Sequence, residues 1–295
     1  MLVYLNGSLL PQEEAAVSVF DSGLNFGDGV FEGIRVYSGR IFRLEQHVDR
    51  LFQSARAFDI DIGLSSNELC AEVLRWLRAN EIEDGFHFRP IVTRGKRFPP
   101  RLDPRFCVTG PTVIFVGGPI EPASLAGLRL LVSSVKRVSP EALDPRVKSL
   151  NYGNNLLARL DALRRGFDDA LMLDQAGFVS EASAANVFIV QGGSLLTPLT
   201  RSCLSGITRQ AVIELAKAHE LAVAESDLTA LDVLAADEVF LTATGMEIVP
   251  VAEVDGRQIG TGAAGSITRQ LAEAYARLVR NEGVPIHEHP LSPRA

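Results

Sequence analysis

The hydrophobic period of this sequence switches between that of a strand and that of a helix, and this switching limits the folds open to the chain. Two Gly-containing dipeptides between apolar runs, Asn6-Gly7 and Ser38-Gly39, predict β-hairpins. Between residues 48 and 77 the apolar side chains instead recur every three or four residues, which predicts two helices. A strand pattern resumes at 86–93. A segment that mixes hairpins with a pair of helices is typical of the α+β class.

The run Gly117-Gly118-Pro119 interrupts the strand pattern, and glycine and proline together are strong markers of a break. We therefore expect a small N-terminal α+β domain at 1–118, an interdomain linker at 119–127 and a large C-terminal domain at 128–295. Strand and helix patterns are mixed again beyond the break, so the whole chain is predicted to be a two-domain α+β protein.

The composition excludes several classes of protein. With 46% hydrophobic and 22% charged residues the chain is globular, and its net charge of −7 argues against binding nucleic acid through bulk charge. The sequence has no run of 18 apolar residues, so it predicts no membrane helix. Three scattered cysteines and the lack of an N-terminal apolar targeting segment predict a cytoplasmic protein. We interpret His287-Glu288-His289 as a solvated tail and expect no metal.

Four short segments carry side chains suited to chemistry, each with an ordinary alternative. Lys148, one of only four lysines, precedes an amphipathic helix and is either a half-buried nucleophilic amine or a surface lysine at the helix entrance. Gly206-Ile207-Thr208 opens a helix whose N-terminus suits a phosphate, or is an ordinary cap. Thr244-Gly245 follows a strand and offers another hydroxyl, or forms a simple turn. Glu181 lies among small residues and suits a cationic ring nitrogen, or is a turn acid.

Six segments that span nearly the whole chain carry a shared resemblance: NFGDGVFEGIR (25–35), HVDRL (47–51), VKSLNY (147–152), SE with NVF (180–181, 186–188), LSGITR (204–209) and TATGMEI (242–248). In this order they resemble segments of the fold-type IV (class IV) aminotransferases, which depend on pyridoxal 5′-phosphate (PLP). This family includes the branched-chain amino-acid aminotransferases, D-amino-acid aminotransferases, (R)-amine transaminases and aminodeoxychorismate lyase. The resemblance implies the two-domain fold of the D-amino-acid aminotransferase type and PLP as cofactor.

The resemblance also implies roles for individual residues. Lys148 is the catalytic residue, which forms the Schiff base with PLP and moves the proton between the substrate Cα and C4′ of the cofactor. Glu181 pairs with the pyridine nitrogen. The remaining cofactor-binding positions surround the phosphate, the phenolic oxygen and the ring: Arg50, Tyr152, Leu204, Gly206, Ile207, Thr208 and Thr244.

Substrate-binding positions are implied in the same way: Phe26, Phe31, Gly33, His87, Arg89, Thr244 and Gly245. The segment Phe31-Glu32-Gly33-Ile34-Arg35 resembles the branched-chain subgroup, although His87 and Phe26 stand where that subgroup has tyrosines. A basic cluster fits recognition of a dicarboxylate such as 2-oxoglutarate, or is a solvated loop: Arg89, Arg94, Lys96, Arg97 and Arg101.

The sequence thus predicts an aminotransferase (a transferase of nitrogenous groups) that exchanges the amino group of a branched-chain or other hydrophobic L-amino acid with a 2-oxo acid. The alternatives are a D-amino-acid or (R)-amine transaminase, aminodeoxychorismate lyase, and a PLP-carrying binding protein without catalysis. Family members have active sites near a subunit interface, so a homodimer or larger homo-oligomer is expected, with small-molecule substrates and no nucleic acid or membrane partner.

Overall fold

A computed structural model of the chain describes residues 1–121 and 126–287. They form two units: Met1–Glu121 together with the residues from Val279 onward, and the remainder up to Leu278. Each unit has helices, one sheet and its own hydrophobic core. The sheet of the first unit is antiparallel and that of the second is mainly antiparallel, so the predicted α+β class is confirmed. No helix within the described ranges is long and apolar enough to cross a membrane.

The N-terminal part of the first unit supplies the strands β1 (Leu2–Leu5), β2 (Ser8–Pro11), β3 (Gly29–Phe31), β4 (Ile34–Tyr37), β5 (Arg40–Ile41), β6 (Phe86–Thr93) and β7 (Thr112–Pro119). Its helices are α1 (Ser22–Phe26), α2 (Leu44–Ala57) and α3 (Ser66–Ala79), with a 3-10 helix at Pro104–Phe106. The strands lie in the order β5-β4-β6-β7-β1-β2, and β3 pairs with β6 next to β4.

Both predicted hairpins are present in this unit. Asn6-Gly7 joins β1 to β2, and Ser38-Gly39 joins β4 to β5, with positive φ at all four residues. The helices α2 and α3 share one core with the sheet, centred on the fully buried Trp76. The Trp76 ring lies 5.6 Å from that of Phe88, and its indole N–H donates to the carbonyl of Leu2 at 2.8 Å.

The first unit extends to Glu121, three residues beyond the domain end predicted at 118. Gly117, Gly118 and Pro119 are the last residues of β7 and pair with Phe88, His87 and Phe86 of β6. A Cβ on Gly117 would lie 2.6 Å from the Phe86 ring, so this glycine allows two strands to approach closely instead of breaking one. The division falls after Glu121, and residues 122–125 of the predicted linker lie outside the described residues.

The second unit contains the strands β8 (Leu128–Val132), β9 (Asp169–Leu173), β10 (Val179–Ala182), β11 (Asn186–Gln191), β12 (Ser194–Pro198), β13 (Val223–Ser226), β14 (Glu238–Ala243), β15 (Glu247–Val254) and β16 (Arg257–Gln258). Its helices are α4 (Gly153–Arg164), α5 (Ile207–Ala218), α6 (Ala230–Leu234) and the larger part of α7 (Ser266–Asn281). The sheet order is β10-β9-β8-β15-β14-β11-β12-β13, with β16 on β15.

Residues 279–287 belong to the first unit, although the sequence predicts that all of 128–295 belongs to the second domain. The boundary lies inside α7, between Leu278 and Val279. After it, β17 (Val284–Pro285) pairs antiparallel with β5, and Ile286 is fully buried in the first unit's core. The helical period of α7 predicts the helix but carries no information about which sheet edge the following residues pair with. Residues 288–295 lie outside the described part of the chain.

Candidate active site

Lys148 lies in the loop that leads into α4 and is half-buried. Its Nζ donates a hydrogen bond to the phenolic oxygen of Tyr152 at 3.3 Å and lies 5.5 Å from the centre of that ring. Tyr152 occupies the N-cap position of α4. The orientation of α4 is fixed by Asn155, whose amide donates to the carbonyl of Ser183 at 2.8 Å. The amine is therefore held at the start of a helix that is tied to the end of β10.

Glu181 is a buried carboxylate of β10 with three donors. Its Oε1 accepts from Arg137 Nε at 2.8 Å, and its Oε2 accepts from the backbone N–H of Leu204 at 3.2 Å and from the Asn186 amide at 3.5 Å. The side chains of Glu181 and Arg137 are each only 7% exposed. Since each carboxylate oxygen accepts more than one hydrogen bond, this fixed group can still accept from a ligand.

Sequence reasoning missed Arg137. It lies 44 residues from Glu181 along the chain, in the irregular segment after β8. No spacing rule connects two side chains at that separation. The one signal in the sequence is a basic residue in the segment between β8 and the loop of Lys148, and that pattern is equally typical of a solvated loop.

The N-terminus of α5 presents backbone amides to one side of the same cluster. Gly206 precedes the helix in an extended conformation (φ −67°, ψ 134°) and has no side chain with which to cap the first amides. A Cβ there would lie 2.0 Å from Oδ1 of Asn186, so only glycine fits beside this asparagine. Ile207 and Thr208 follow, both buried. An open helix N-terminus of this kind binds phosphate through its N–H groups and its dipole.

Asn186 joins these parts of the second unit. Its amide contacts Glu181 and donates to the Leu204 carbonyl at 2.9 Å, and its backbone pairs with Thr242 of β14. Thr242 Oγ1 is buried and has no hydrogen-bond partner among the residues that the structure describes. Half-buried Thr244 and Gly245 follow in the turn after β14. A buried hydroxyl without a partner and an uncapped helix start fit a bound polar group such as a phosphate.

The nearby thiol is not a nucleophile of this cluster. Cys203 is buried, and burial together with the Glu181 carboxylate raises the pKa of its thiol to about 12. The thiol therefore stays protonated at neutral pH, and Lys148 is the candidate nucleophile of this unit. Across the described residues, no group of three or more His, Cys, Asp or Glu side chains is arranged to hold a metal ion.

In the first unit, four of the predicted substrate residues lie close together on the sheet. A Cβ on Gly33 would lie 3.0 Å from His87 Nε2, and the exposed Arg89 guanidinium lies 5.2 Å from the centre of the Phe31 ring. His87 and Arg89 alternate along β6 with core residues, so they share one face. Phe26, at the end of α1, lies under the Arg97 guanidinium, which is 5.0 Å from the centre of its ring.

Two members of the predicted basic cluster are already engaged within the first unit. Arg94 donates to Asp28 at 2.8 and 3.1 Å and to the Asp59 carbonyl at 2.7 Å. Arg97 is buried, bonded to the same Asp28 and to the Leu102 carbonyl at 2.6 Å. These two guanidinium groups hold loops together. Exposed positive charge of the cluster is limited to Arg89, Lys96 and Arg101.

Arg50, predicted for the phosphate, lies on α2 in the first unit. Its Nε and Nη2 donate to Oε1 and Oε2 of Glu32 at 2.6 and 2.8 Å, and His47 Nδ1 lies 2.8 Å from Oε2. Glu32 and His47 are fully buried. Burial alone would raise the pKa of Glu32, but the Arg50 guanidinium and His47 outweigh it and hold that pKa well below its ordinary value. Glu32 was not among the predicted site residues, although it stands between Phe31 and Gly33.

The chain is similar to known proteins over nearly its whole length. The family model described as amino-transferase class IV matches residues 29–254. A putative branched-chain-amino-acid aminotransferase of Methanocaldococcus jannaschii is 44% identical over 290 residues, which cover 98% of this chain and 100% of that protein. A D-alanine aminotransferase of Bacillus licheniformis is 34% identical over 283 residues, or 96% of this chain and 98% of the relative.

Among solved structures, the chain is similar to the branched-chain amino acid aminotransferase from Thermobaculum terrenum in its PLP-form (holo-form). The TM-score is 0.87 at 32% identity, over 97% of this chain and 98% of that one. The likeness therefore extends over both units of the chain.

Proposed function

The chain belongs to the class IV aminotransferases, PLP enzymes of fold type IV, and we propose that it exchanges the amino group of a branched-chain or other hydrophobic L-amino acid with that of a 2-oxo acid such as 2-oxoglutarate. The observation that carries the proposal is a contact network in the second unit. Asn186 contacts the Glu181 carboxylate and lies against the open start of α5, while Lys148 bonds to Tyr152 at the start of α4 and Asn155 of that helix bonds to Ser183, two residues from Glu181.

Each part of that network suits one part of PLP. When bound, PLP supplies an aldehyde that bonds to an amine and a protonated ring that withdraws electrons from the substrate Cα. Lys148 Nζ provides the amine and then moves the proton at Cα, while Tyr152 orients Nζ by a hydrogen bond. Glu181 accepts from the ring nitrogen and keeps it protonated. The amides of Ile207 and Thr208, with the turn at Thr244, hold the phosphate.

The first unit supplies the proposed substrate contacts. The Phe31 ring and the small Gly33 offer an apolar wall for a branched side chain, and Arg89 offers a guanidinium to a carboxylate. With Arg94 and Arg97 engaged by Asp28, we assign recognition of the acceptor's carboxylates to the exposed Arg89 and leave the loop arginines out.

A D-amino-acid transaminase is the second candidate, because the D-alanine aminotransferase of Bacillus licheniformis matches 96% of the chain at 34% identity. The branched-chain candidate takes precedence because the Methanocaldococcus relative is 44% identical and because the Phe31–Arg35 segment resembles that subgroup.

We also propose a homodimer or larger homo-oligomer in the cytoplasm. Four leucines on α4 are 36–60% exposed, an apolar surface that self-association would cover: Leu156, Leu157, Leu160 and Leu163. All three cysteines are free thiols, in keeping with a reducing compartment.

A half-reaction assay tests the function. The absorbance of the lysine-bound cofactor is followed after adding L-leucine or D-alanine, without an acceptor, to the PLP-loaded protein. Loss of that absorbance with L-leucine alone supports the branched-chain proposal, and loss with D-alanine alone replaces it by the D-amino-acid candidate. Loss with neither directs the assay to (R)-1-phenylethylamine and to aminodeoxychorismate. The Lys148→Ala variant is the control: borohydride must fix the cofactor to the wild-type protein and not to this variant.

A further inference from the structure

Arg137 is a buried cation of the second unit to which the proposed ligand contacts give no role. Its side chain is only 7% exposed, and its backbone is held by β9 and the turn after that strand. The Arg137 N–H donates to the Leu173 carbonyl at 2.8 Å, and the Arg137 carbonyl accepts from the Gln175 side chain at 2.9 Å. Well-packed apolar residues are usually at least as stabilising as a buried ion pair, so stability alone does not account for Arg137 beside Glu181.

The backbone at Glu181 is irregular in a way that directs this side chain. Strand β10 pairs with β9, and the register of the pairing shifts between Val179 and Glu181. Irregularities of this kind re-aim a side chain and are common next to active sites. Ser180, at the shift, is tied down as well, since its hydroxyl donates to the Ser202 carbonyl at 2.6 Å. The direction of the Glu181 carboxylate is thus set partly by the strand itself.

The Glu181 carboxylate has an acceptor site left for a ligand, and that site is on the oxygen that Arg137 contacts. A carboxylate has about four acceptor sites, two on each oxygen. Oε2 accepts from the Leu204 N–H and the Asn186 amide, whereas Oε1 accepts from Arg137 alone among the residues that the structure describes. A ligand N–H that bonds to Glu181 therefore shares Oε1 with the arginine.

Sharing one oxygen couples the charge of Arg137 to the proton of that hydrogen bond. The proton lies either on the ligand nitrogen, opposite an ionised carboxylate, or on Oε1, opposite a neutral nitrogen. Arg137 Nε is 2.8 Å from Oε1 and is farther from any atom that bonds to the other side of this oxygen. The guanidinium therefore stabilises the ionised carboxylate more than it repels a protonated nitrogen.

A second titratable group, Cys203, lies near the same carboxylate but does not take this proton. Burial and the Glu181 charge raise the pKa of the Cys203 thiol to about 12, so the thiol is already protonated at neutral pH. The proton of the hydrogen bond is thus divided between Glu181 and the ligand.

We propose that Arg137 is a positioning residue for Glu181, and that its charge keeps the shared proton on the ring nitrogen of the cofactor. This inference rests on the proposed function, in which PLP is bound with its ring nitrogen at Glu181. A protonated ring withdraws electrons from the substrate Cα more strongly than a neutral ring. Arg137 thereby supports the reaction through Glu181, without contact to the cofactor.

The position of the proton is measured by NMR on the full chain loaded with PLP whose ring nitrogen is isotope-labelled. The chemical shift of this nucleus distinguishes a protonated pyridine nitrogen from a neutral one. We expect a protonated nitrogen in wild type and in Arg137→Lys, which retains the charge. We expect a neutral nitrogen in Arg137→Gln, which retains a hydrogen-bond donor but not the charge. Arg159→Gln is the matched control, because Arg159 pairs with the buried Asp169 of the same unit at 3.0 Å, and its nitrogen signal should equal that of wild type.

A second measurement reads the same effect as a ratio of affinities. Deaza-PLP, in which a C–H group replaces the ring nitrogen, has no proton at this position, so its affinity reports only a general loss of structure. The dissociation constants of PLP and deaza-PLP are measured on the cofactor-depleted full chain by absorbance titration. Arg137→Gln should lower the preference for PLP over deaza-PLP about tenfold, because a charge-assisted hydrogen bond becomes a neutral one, and Arg137→Lys should stay within about threefold of wild type.

Contrary results separate this inference from the proposed function. A ring nitrogen that stays protonated in Arg137→Gln, or that is neutral in wild type or in Arg137→Lys, overturns the inference. An equal loss of affinity for PLP and deaza-PLP in Arg137→Gln shows a purely structural role and overturns it as well. If borohydride does not fix the cofactor to Lys148 in wild type, the proposed function fails, and the inference fails with it. If Arg137→Gln does not fold, Arg137→Met, which fills much of the volume of the arginine, is measured in its place.

Discussion

Replacing Arg137 by methionine is expected to destabilise the second unit substantially. Methionine fills much of the volume of the arginine but leaves the Glu181 charge buried without its cation. The Nε–Oε1 distance is 2.8 Å and both side chains are 7% exposed, so water does not replace the lost partner. Two weaker donors are retained, the Leu204 N–H at 3.2 Å and the Asn186 amide at 3.5 Å.

The size of the effect follows from these contacts. Breaking a buried ion pair by removing one partner costs about 3–5 kcal/mol, and the two retained donors favour the lower end, about 3 kcal/mol. For a folding unit of 150–250 residues each kcal/mol lowers the Tm by about 2–4 °C, so we expect a decrease of about 6–12 °C.

Thermal unfolding of the cofactor-free protein measures this without any contribution from ligand binding. Arg129→Met is the matched control, because Arg129 is 51% exposed and lies 3.5 Å from Asp168, and its removal should change the Tm by less than about 2 °C. The double variant Arg137→Met, Glu181→Leu removes both charges and should be more stable than Arg137→Met alone. The reasoning about a buried, mutually dependent pair is refuted if Arg137→Met unfolds at the same temperature as the Arg129→Met control, or if the double variant is less stable than Arg137→Met.

Three further outcomes follow from the same structure. Gly206→Ala should lower the free energy of unfolding, measured by urea titration, by about 1–2 kcal/mol, because the new Cβ displaces the Asn186 amide from its hydrogen bonds. Gly153→Ala, with nothing within 4 Å of its Cβ, should leave that free energy unchanged. The pKa of Glu32 lies below its ordinary 4.5 in the folded protein, so as the pH falls the carboxylate of the unfolded chain is protonated first. The stability advantage of wild type over Glu32→Gln should therefore be complete above pH 4.5 and shrink below it. A pH-independent difference in stability would contradict the lowered pKa. With its pKa raised to about 12, Cys203 should resist a thiol reagent at about pH 8 until denaturant is added, and its labelling in the native protein would show that the site opens.

Local signals in the sequence were sufficient for the parts of the site that depend on neighbours in the chain. The glycine before α5 and the hydroxyl in its first turn mark a helix start, and the structure has α5 beginning at Ile207. Lys148 precedes α4 as expected because the apolar period of that helix is visible in the sequence. The roles assigned to these residues stay predictions, since the structure contains the arrangement and not the chemistry.

Contacts between distant segments were not accessible in the same way. The pairs Arg137–Glu181 and Arg50–Glu32 each join residues that no periodicity relates, and a charged side chain is equally compatible with a solvated surface until its burial is known. The glycines of β7 show a second limit, because a pair that indicates a chain break also permits two strands to approach closely. Whether the glycines end a strand or permit a close approach depends on Phe86, a residue of the neighbouring strand.

The return of the chain's end to the first unit has a consequence for folding during synthesis. The sheet edge at β5 and the core position of Ile286 are completed only by residues made after the whole second unit. At about 5–20 residues per second, the ~160 intervening residues take roughly 8–30 s to translate. During that interval the nascent first unit has an open strand edge, a template for pairing with other chains. The unit translated first is thus completed last.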